Sequence, residues 1–344
     1  MNMEILKLDQ IVGQPTAVKI LKASLPPASP AHAYLFAGPE GVGKRTTAMS
    51  FARALMCEAG QGDACGVCRP CKKIAAGTHP DLTLLTPEAR EKKVKVEIDI
   101  ARIREVIRKI GYKPYEAHRK ILIMDGADMM NMAAANAFLK TLEEPPGDTV
   151  IILTAVNTGK LPLTVMSRCQ VVRFYPAPFE ETVKFLSERL GLGEKEAKAA
   201  AALSKGSIGL AMSGELDEAK ELRSIAFDAL VNIDSKGTDE IYKLANEMDK
   251  SKDKSRVDRF LEMTVELIRD LMTVKIQGKY DKLINVDLAP GLEEAASGFS
   301  YRRLARAYSI AQEMISARRW NINPLLVVSL LSLELKENND RTSR

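Results

Sequence analysis

The chain has 344 residues, 46% of them hydrophobic and 28% charged, which fits about two or three folded, water-facing domains and excludes a disordered chain. No apolar run reaches the ~18 residues of a membrane span, and Met1-Asn2-Met3-Glu4-Ile5-Leu6-Lys7 lacks the basic-then-apolar order of a signal peptide, so a cytoplasmic location and no membrane partner are expected. With 50 basic and 45 acidic residues the net charge is only +5, too mild to mark a dedicated nucleic-acid binder.

In chain order, Ala33-Tyr34-Leu35-Phe36-Ala37 reads as a buried strand. It runs into Gly38-Pro39-Glu40-Gly41-Val42-Gly43-Lys44, after which Thr46 to Leu55 has helical composition. Lys120-Ile121-Leu122-Ile123-Met124-Asp125 predicts a second buried strand ending in an acid, and Thr149 to Thr154 a third. Between them Ala133 to Leu142 has helical spacing and stops at Glu143-Glu144-Pro145-Pro146, where proline forbids continuation. This alternation predicts an α/β domain with a parallel sheet over residues 1–175. After Val171-Val172-Arg173-Phe174, Pro176-Ala177-Pro178 reads as a linker into a small helical unit, residues 176–213. Apolar residues then recur at helical spacing, as in Leu261, Val265, Leu267, Ile268 and Leu271, or Ile310, Met314 and Ile315, and predict an all-α domain over residues 214–344.

A strand, a glycine-rich turn and a helix in that order supply backbone N–H groups around a phosphate, with Gly38, Gly41, Gly43 and Lys44 as the cradle. The pattern demands Ser or Thr directly after the lysine to hold Mg²⁺, and that position is Arg45; Thr46 comes one residue late and points elsewhere on the helix. Asp125 stands where an acid helps hold Mg²⁺, but Gly126 follows it where a carboxylate would prepare the attacking water. Two readings of the loop stay open: ATP or ADP held through the glycines and Lys44, or a turn that keeps its shape and binds nothing. Either way, hydrolysis by this chain is expected to be very slow or absent.

Cys57, Cys65, Cys68 and Cys71 fall within one short insert, while Cys169 stands apart. Four thiolates in tight turns, with Gly60, Gly62 and Gly66 among them, suit a closed tetrahedral site for structural Zn²⁺. His79 is an alternative ligand that the fourth cysteine makes unnecessary.

Ile11-Val12-Gly13-Gln14, the phosphate loop, the cysteine insert, the run Ala134 to Pro146 and Ser167-Arg168-Cys169 together resemble the bacterial DNA polymerase III clamp-loader subunits. Within that AAA+ family, His79-Pro80-Asp81 and Asn321-Ile322-Asn323-Pro324 look like the delta-prime type, as do the departures in the phosphate loop. The resemblance implies an AAA+ module, a helical lid and a helical collar that joins gamma/tau and delta subunits in a ring of five, acting indirectly on a sliding clamp and primed DNA. It also implies that Arg168 is an arginine finger aimed at the neighbouring subunit's nucleotide; taken alone, Arg168 reads as a helix-terminal surface residue. Two further departures agree with a chain that is not an ATPase when isolated. The family's threonine-rich sensor stretch reads Ala155-Val156-Asn157, with Thr154 beside it, and the lid's Gly-Ser-x-Arg reads Gly206-Ser207-Ile208-Gly209.

The competing expectation is a gamma/tau-like clamp-loader ATPase, which requires turnover by the chain alone. A plain zinc-containing DNA-binding module fits less well, because no dense basic stripe accompanies the cysteines. In the collar, Leu325, Val328, Leu331 and Leu333 read as bundle core beside Arg318-Arg319, and Trp320 as a core or interface residue.

Overall fold

Five short apolar runs become one parallel sheet. In the computed structural model, which describes residues 6–59, 62–87, 97–213, 215–231, 254–277 and 283–317, the strands are β1 (Ala33–Ala37), β2 (Leu82–Leu85), β3 (Lys120–Met124), β4 (Thr149–Ala155) and β5 (Gln170–Arg173). Their order is β2-β3-β4-β1-β5, and every pairing is parallel. The three inner strands are buried along their whole length, as continuous apolar runs require when helices cover both faces. The edge strands are shorter, and each has one buried residue, Leu85 in β2 and Val172 in β5.

Alternation along the strands sorts side chains into two cores. Tyr34 and Phe36 of β1 face one side with Leu21 of α1 (Pro15–Ala23) and Phe51 of α2 (Lys44–Leu55). Leu35 faces the other with the buried residues of α4 (Ile100–Ile110) and α5 (Met132–Glu143). The short helix α3 (Arg69–Ala75) follows the cysteine turns. Asp99 and Asn131 cap α4 and α5 by accepting the N–H groups of Arg102 and Ala134, and α5 ends ahead of Pro145. β2 and α4 add to the elements anticipated above: Leu82-Thr83-Leu84-Leu85 is too short to show a period, and α4 is marked by Ile103, Val106 and Ile110 at helical spacing.

Two compact units divide the chain. The first comprises Met1–Thr182 with Gly206–Gly209, the second Val183–Lys205 with Leu210–Arg344. α6 (Leu163–Met166) precedes β5, after which the described elements are helices: α7 (Phe179–Leu190), α8 (Glu194–Ser204), α9 (Ile208–Met212), α10 (Glu215–Val231), α11 (Lys254–Gln277), α12 (Ala289–Ser297) and α13 (Tyr301–Ala317). Within the second unit α11 packs on α10, α12 and α13, burying Leu261, Val265, Leu267, Ile268 and Leu271. Its core also holds polar groups that are fully paired: Arg223 forks onto Asp287, and buried Asp270 accepts the N–H groups of Ile284 and Asn285. None of the helices among the described residues is long and apolar enough to cross a membrane. Gly60, Arg318-Arg319, Trp320, Asn321 to Pro324 and the apolar positions from Leu325 to Leu333 lie outside the described residues, as do the side chains of Met314 and Ile315.

Candidate functional site

At the carboxyl end of the sheet, β1 leads into the glycine-rich turn and α2 begins at Lys44, two residues before the start suggested by composition. Gly43 precedes the helix with φ +93°, a left-handed conformation that a side chain would strain, so the turn fits glycine. The Lys44 side chain is folded back into the loop, where its Nζ donates to the carbonyls of Gly38 at 2.7 Å and Pro39 at 2.5 Å. Burial lowers the Lys44 pKa, against the opposing pull of Asp125, Asp128 and Glu40.

Arg45 follows on the first turn of α2, and its Nη1 lies 3.5 Å from Oδ2 of Asp125, just beyond the end of β3. The other Asp125 oxygen accepts the Thr154 hydroxyl at 2.7 Å, and that hydroxyl in turn accepts the Gly126 N–H at 3.0 Å. The chemistry of this donor set does not fit Mg²⁺, which takes near-octahedral oxygen ligands. The expected hydroxyl is a guanidinium, and the carboxylate already has a donor on each oxygen. Thr46 is half-buried, and its carbonyl accepts from Ser50. The turn Gly206–Gly209, part of this same unit, lies against the loop: Gly209 N–H donates to Gly41 O at 2.7 Å and Ser207 Oγ to Glu40 O at 3.2 Å. A Cβ at residue 209 would come within 2.9 Å of Gly41 Cα, so a bulkier residue there would separate the two backbones.

The cysteines converge between α2 and α3. All four Sγ atoms lie within 4.8 Å of one another, with Cys57 and Cys68 at 3.9 Å. Tetrahedral zinc–thiolate bonds place sulfurs ~3.8 Å apart, so the quartet is dimensioned to hold a metal ion. Backbone N–H groups already face the sulfurs: Cys65 donates to Cys57 Sγ and Cys68 to Cys65 Sγ, each at 3.3 Å. The N–H groups of Cys68 and Val67 lower the Cys65 thiol to about 6, whereas burial pushes Cys71 up to about 12. A full set of thiolates therefore calls for a cation among them. His79 is elsewhere, buried beside Glu116, with its Nδ1 accepting the Asp81 N–H at 3.2 Å.

Arg168 sits at the opposite end of the sheet. It follows α6 and precedes β5, whose Gln170 pairs with Tyr34 near the start of β1. The phosphate loop begins past the far end of β1, so about 20 Å of strand separates the two along the sheet, at ~3.3 Å per residue. Arg168 Nε and Nη2 both donate to Oε1 of Glu143 at the end of α5, the first at 2.8 Å, while Nη1 donates to Thr164 O at 2.8 Å. The side chains of Arg168 and Glu143 are 31% and 48% exposed, so the pair stands on a wet rim. Cys169 is turned inward, and burial raises its thiol to about 12, which makes it unreactive.

A family model described as "DNA polymerase III, delta subunit" matches residues 13–178. The DNA polymerase III subunit delta' of Bacillus subtilis is 30% identical over 328 residues, spanning 94% of this chain and 96% of that protein. The chain belongs to the delta-prime family of DNA polymerase III subunits. The tau subunit of the same bacterium is 37% identical over 171 residues, 48% of this chain and 28% of that protein. A gamma subunit-related protein of Thermotoga maritima aligns over 89% of this chain and 94% of its own at 18% identity and a TM-score of 0.40.

For a delta-prime family member, the α/β AAA+ module followed by helices is the architecture the sequence led us to expect. Sequence reasoning passed over two residues that the fold makes important. In the sequence Glu143 stands at a helix end within the run Ala134 to Pro146, with nothing to mark it as the carboxylate on Arg168. Asp81 is nearly fully buried and accepts three backbone N–H groups, from Tyr115 at 2.7 Å and from Glu116 and Ala117 at 2.9 Å. It thereby fixes the loop that leads into β3. The available signal for Asp81 was its place in His79-Pro80-Asp81; no local signal ties Glu143 to Arg168.

Proposed function

We propose that this chain acts as the delta-prime subunit of a bacterial clamp loader, helping to place the sliding clamp on primed DNA. It would join gamma/tau and delta subunits in a five-subunit cytoplasmic ring and donate Arg168 to the nucleotide site of the adjacent subunit. Residues 1–175 would form the AAA+ module, 176–213 the lid and 214–344 the collar, and Cys57, Cys65, Cys68 and Cys71 would hold a structural Zn²⁺. The observation that carries the reading is the separation of Arg168 from the chain's own phosphate loop, at opposite ends of one sheet. An arginine on the exposed amino-end rim is out of reach of its own loop but free to meet a neighbour's. There a guanidinium stabilises the charge that develops on the transferring phosphate, a contribution worth about 10³-fold or more in rate.

The chain's own site would be degenerate, and what supports this is the set of internal bonds at that end of the sheet. Lys44 is occupied by loop carbonyls, Arg45 stands where a metal-holding hydroxyl would be, and Gly126 offers no base. The test is ATP turnover of the full chain alone, then with gamma/tau and delta subunits, each with and without Arg168→Ala. Negligible turnover alone and an Arg168-dependent rate in the assembly are expected. Robust Mg²⁺-dependent turnover by the chain alone would instead favour the gamma/tau-like reading.

A further inference from the structure

We infer that Arg45 acts as a resident cation in place of Mg²⁺, so that it excludes the divalent ion from the phosphate loop rather than merely failing to ligate it. This rests on the reading of the loop as a motor subunit's former nucleotide seat, and it adds a specific cause and a specific consequence.

Three observations carry it. The helix start at Lys44 places Arg45 on the first turn, at the position where the phosphate-loop pattern has its metal-binding hydroxyl. From there the guanidinium reaches across 80 residues of sequence to Oδ2 of Asp125, the acid that would otherwise help hold the ion. Thr154 occupies the remaining carboxylate oxygen, so Asp125 offers no oxygen without a donor. The Arg45 side chain is 43% exposed, but its Nε is buried without an acceptor, so among the described residues Asp125 is the acceptor its guanidinium meets.

A guanidinium stays charged at any pH the protein survives, and it is less strongly hydrated than an ammonium, so pairing with a carboxylate costs it less desolvation. Mg²⁺ gives up its own water reluctantly and needs an ordered oxygen set. To bind here it would have to approach a carboxylate that already has a donor on each oxygen and stand next to a positive charge. Lys44 and Arg45 are then the two cations of the loop, and its response to a nucleoside diphosphate is independent of Mg²⁺.

The test is ADP binding to the full chain by calorimetry and thermal shift, with Mg²⁺ added or omitted. Chelators are left out so that the cysteine cluster is undisturbed. For the unaltered chain, Mg²⁺ is expected to change neither the ADP affinity nor the melting midpoint measured with ADP. In Arg45→Thr, which frees Asp125 and supplies the hydroxyl, Mg²⁺ is expected to tighten ADP at least about tenfold, with the midpoint rising accordingly. Arg45→Ser serves the same purpose if the threonine variant does not fold, and Arg45→Lys, which keeps the charge, is expected to behave as the parent does. Mg²⁺-tightened ADP binding by the unaltered chain would overturn the inference, as would a folded Thr or Ser variant with no gain in Mg²⁺ response. Turnover measured in the same samples separates the two levels. Mg²⁺-tightened binding without hydrolysis removes the resident cation alone, while hydrolysis removes the proposed function as well.

Discussion

The two ends of the sheet treat their charged groups differently. At the carboxyl end, Lys44 is bonded to loop carbonyls, Arg45 and Thr154 to Asp125, and the Asp128 carboxylate to the N–H groups of Val156 and Asn157. At the amino end, Arg168 rests on one half-exposed carboxylate and one carbonyl. Groups tied up in bonds of the first kind have less left to offer a substrate, although the Arg45 side chain is itself 43% exposed. A wet ion pair of the second kind is worth only about 0–1 kcal/mol and is easily exchanged for a stronger partner. The difference teaches where a charged group faces outward: Arg168 stands on the exposed rim, whereas Lys44 in the loop is turned onto its own carbonyls.

The largest effect that would break this comparison is at the rim. Arg168→Ala is expected to lower ATP hydrolysis at the adjacent subunit's site about 10³-fold, while shifting the stability of the full chain by less than about 1 kcal/mol. Steady-state turnover and a denaturant melt on the same preparation check both halves; a large loss of stability would mean that Arg168 is a structural residue.

The second effect separates buried structure from the exposed pair at the same end of the sheet. Asp81→Asn leaves a buried backbone N–H facing an amide instead of a carboxylate, and is expected to cost about 2 kcal/mol in denaturant unfolding. Burial raises the Asp81 pKa, but the three N–H groups outweigh it, and the net shift is downward. A depressed carboxylate contributes stability that is present above its unfolded value near ~3.9 and is lost as pH falls through the folded value. The acid limb of the parent's stability curve should therefore be shallower in Asp81→Asn.

His79 acts at milder pH. Its side chain is fully buried, and burial lowers its pKa against the pull of Glu116 and Asp81, so the folded chain holds it neutral. The unfolded chain then takes up a proton first as pH falls below ~6.5, and stability drops on acidification. Melts at pH 7 and pH 5 are expected to differ by less in His79→Gln than in the parent.

Glu143→Gln should give the smallest change. It weakens the rim pair without touching Arg168, so hydrolysis by the assembly is expected to rise by no more than about fivefold, the equivalent of ~1 kcal/mol. A large fall would show that Glu143 aims the arginine rather than parks it.

Much of the fold was legible because it is written locally. Continuous apolar runs at Ala33–Ala37, Lys120–Met124 and Thr149–Ala155 announce strands buried on both faces, and Pro145 marks the end of α5 whatever surrounds it. The glycine-rich turn ahead of α2 and the clustering of the four cysteines were legible for the same reason, since residue type and spacing within a few turns set both. β2 was not, because four residues show no period and its strand character comes from pairing with β3.

The sequence by itself determined that Arg45 follows Lys44, that Gly126 follows Asp125 and that Arg168 stands between Ser167 and Cys169. Only the tertiary structure decided what those residues meet. The order β2-β3-β4-β1-β5 brings Arg45 to Asp125 across 80 residues and Thr154 to Asp125 across 29, and it puts Arg168 at the end of the sheet away from the loop. Such pairs depend on strand order and register, which are set by how two apolar cores close on both faces of the sheet, and no local propensity along the chain records them.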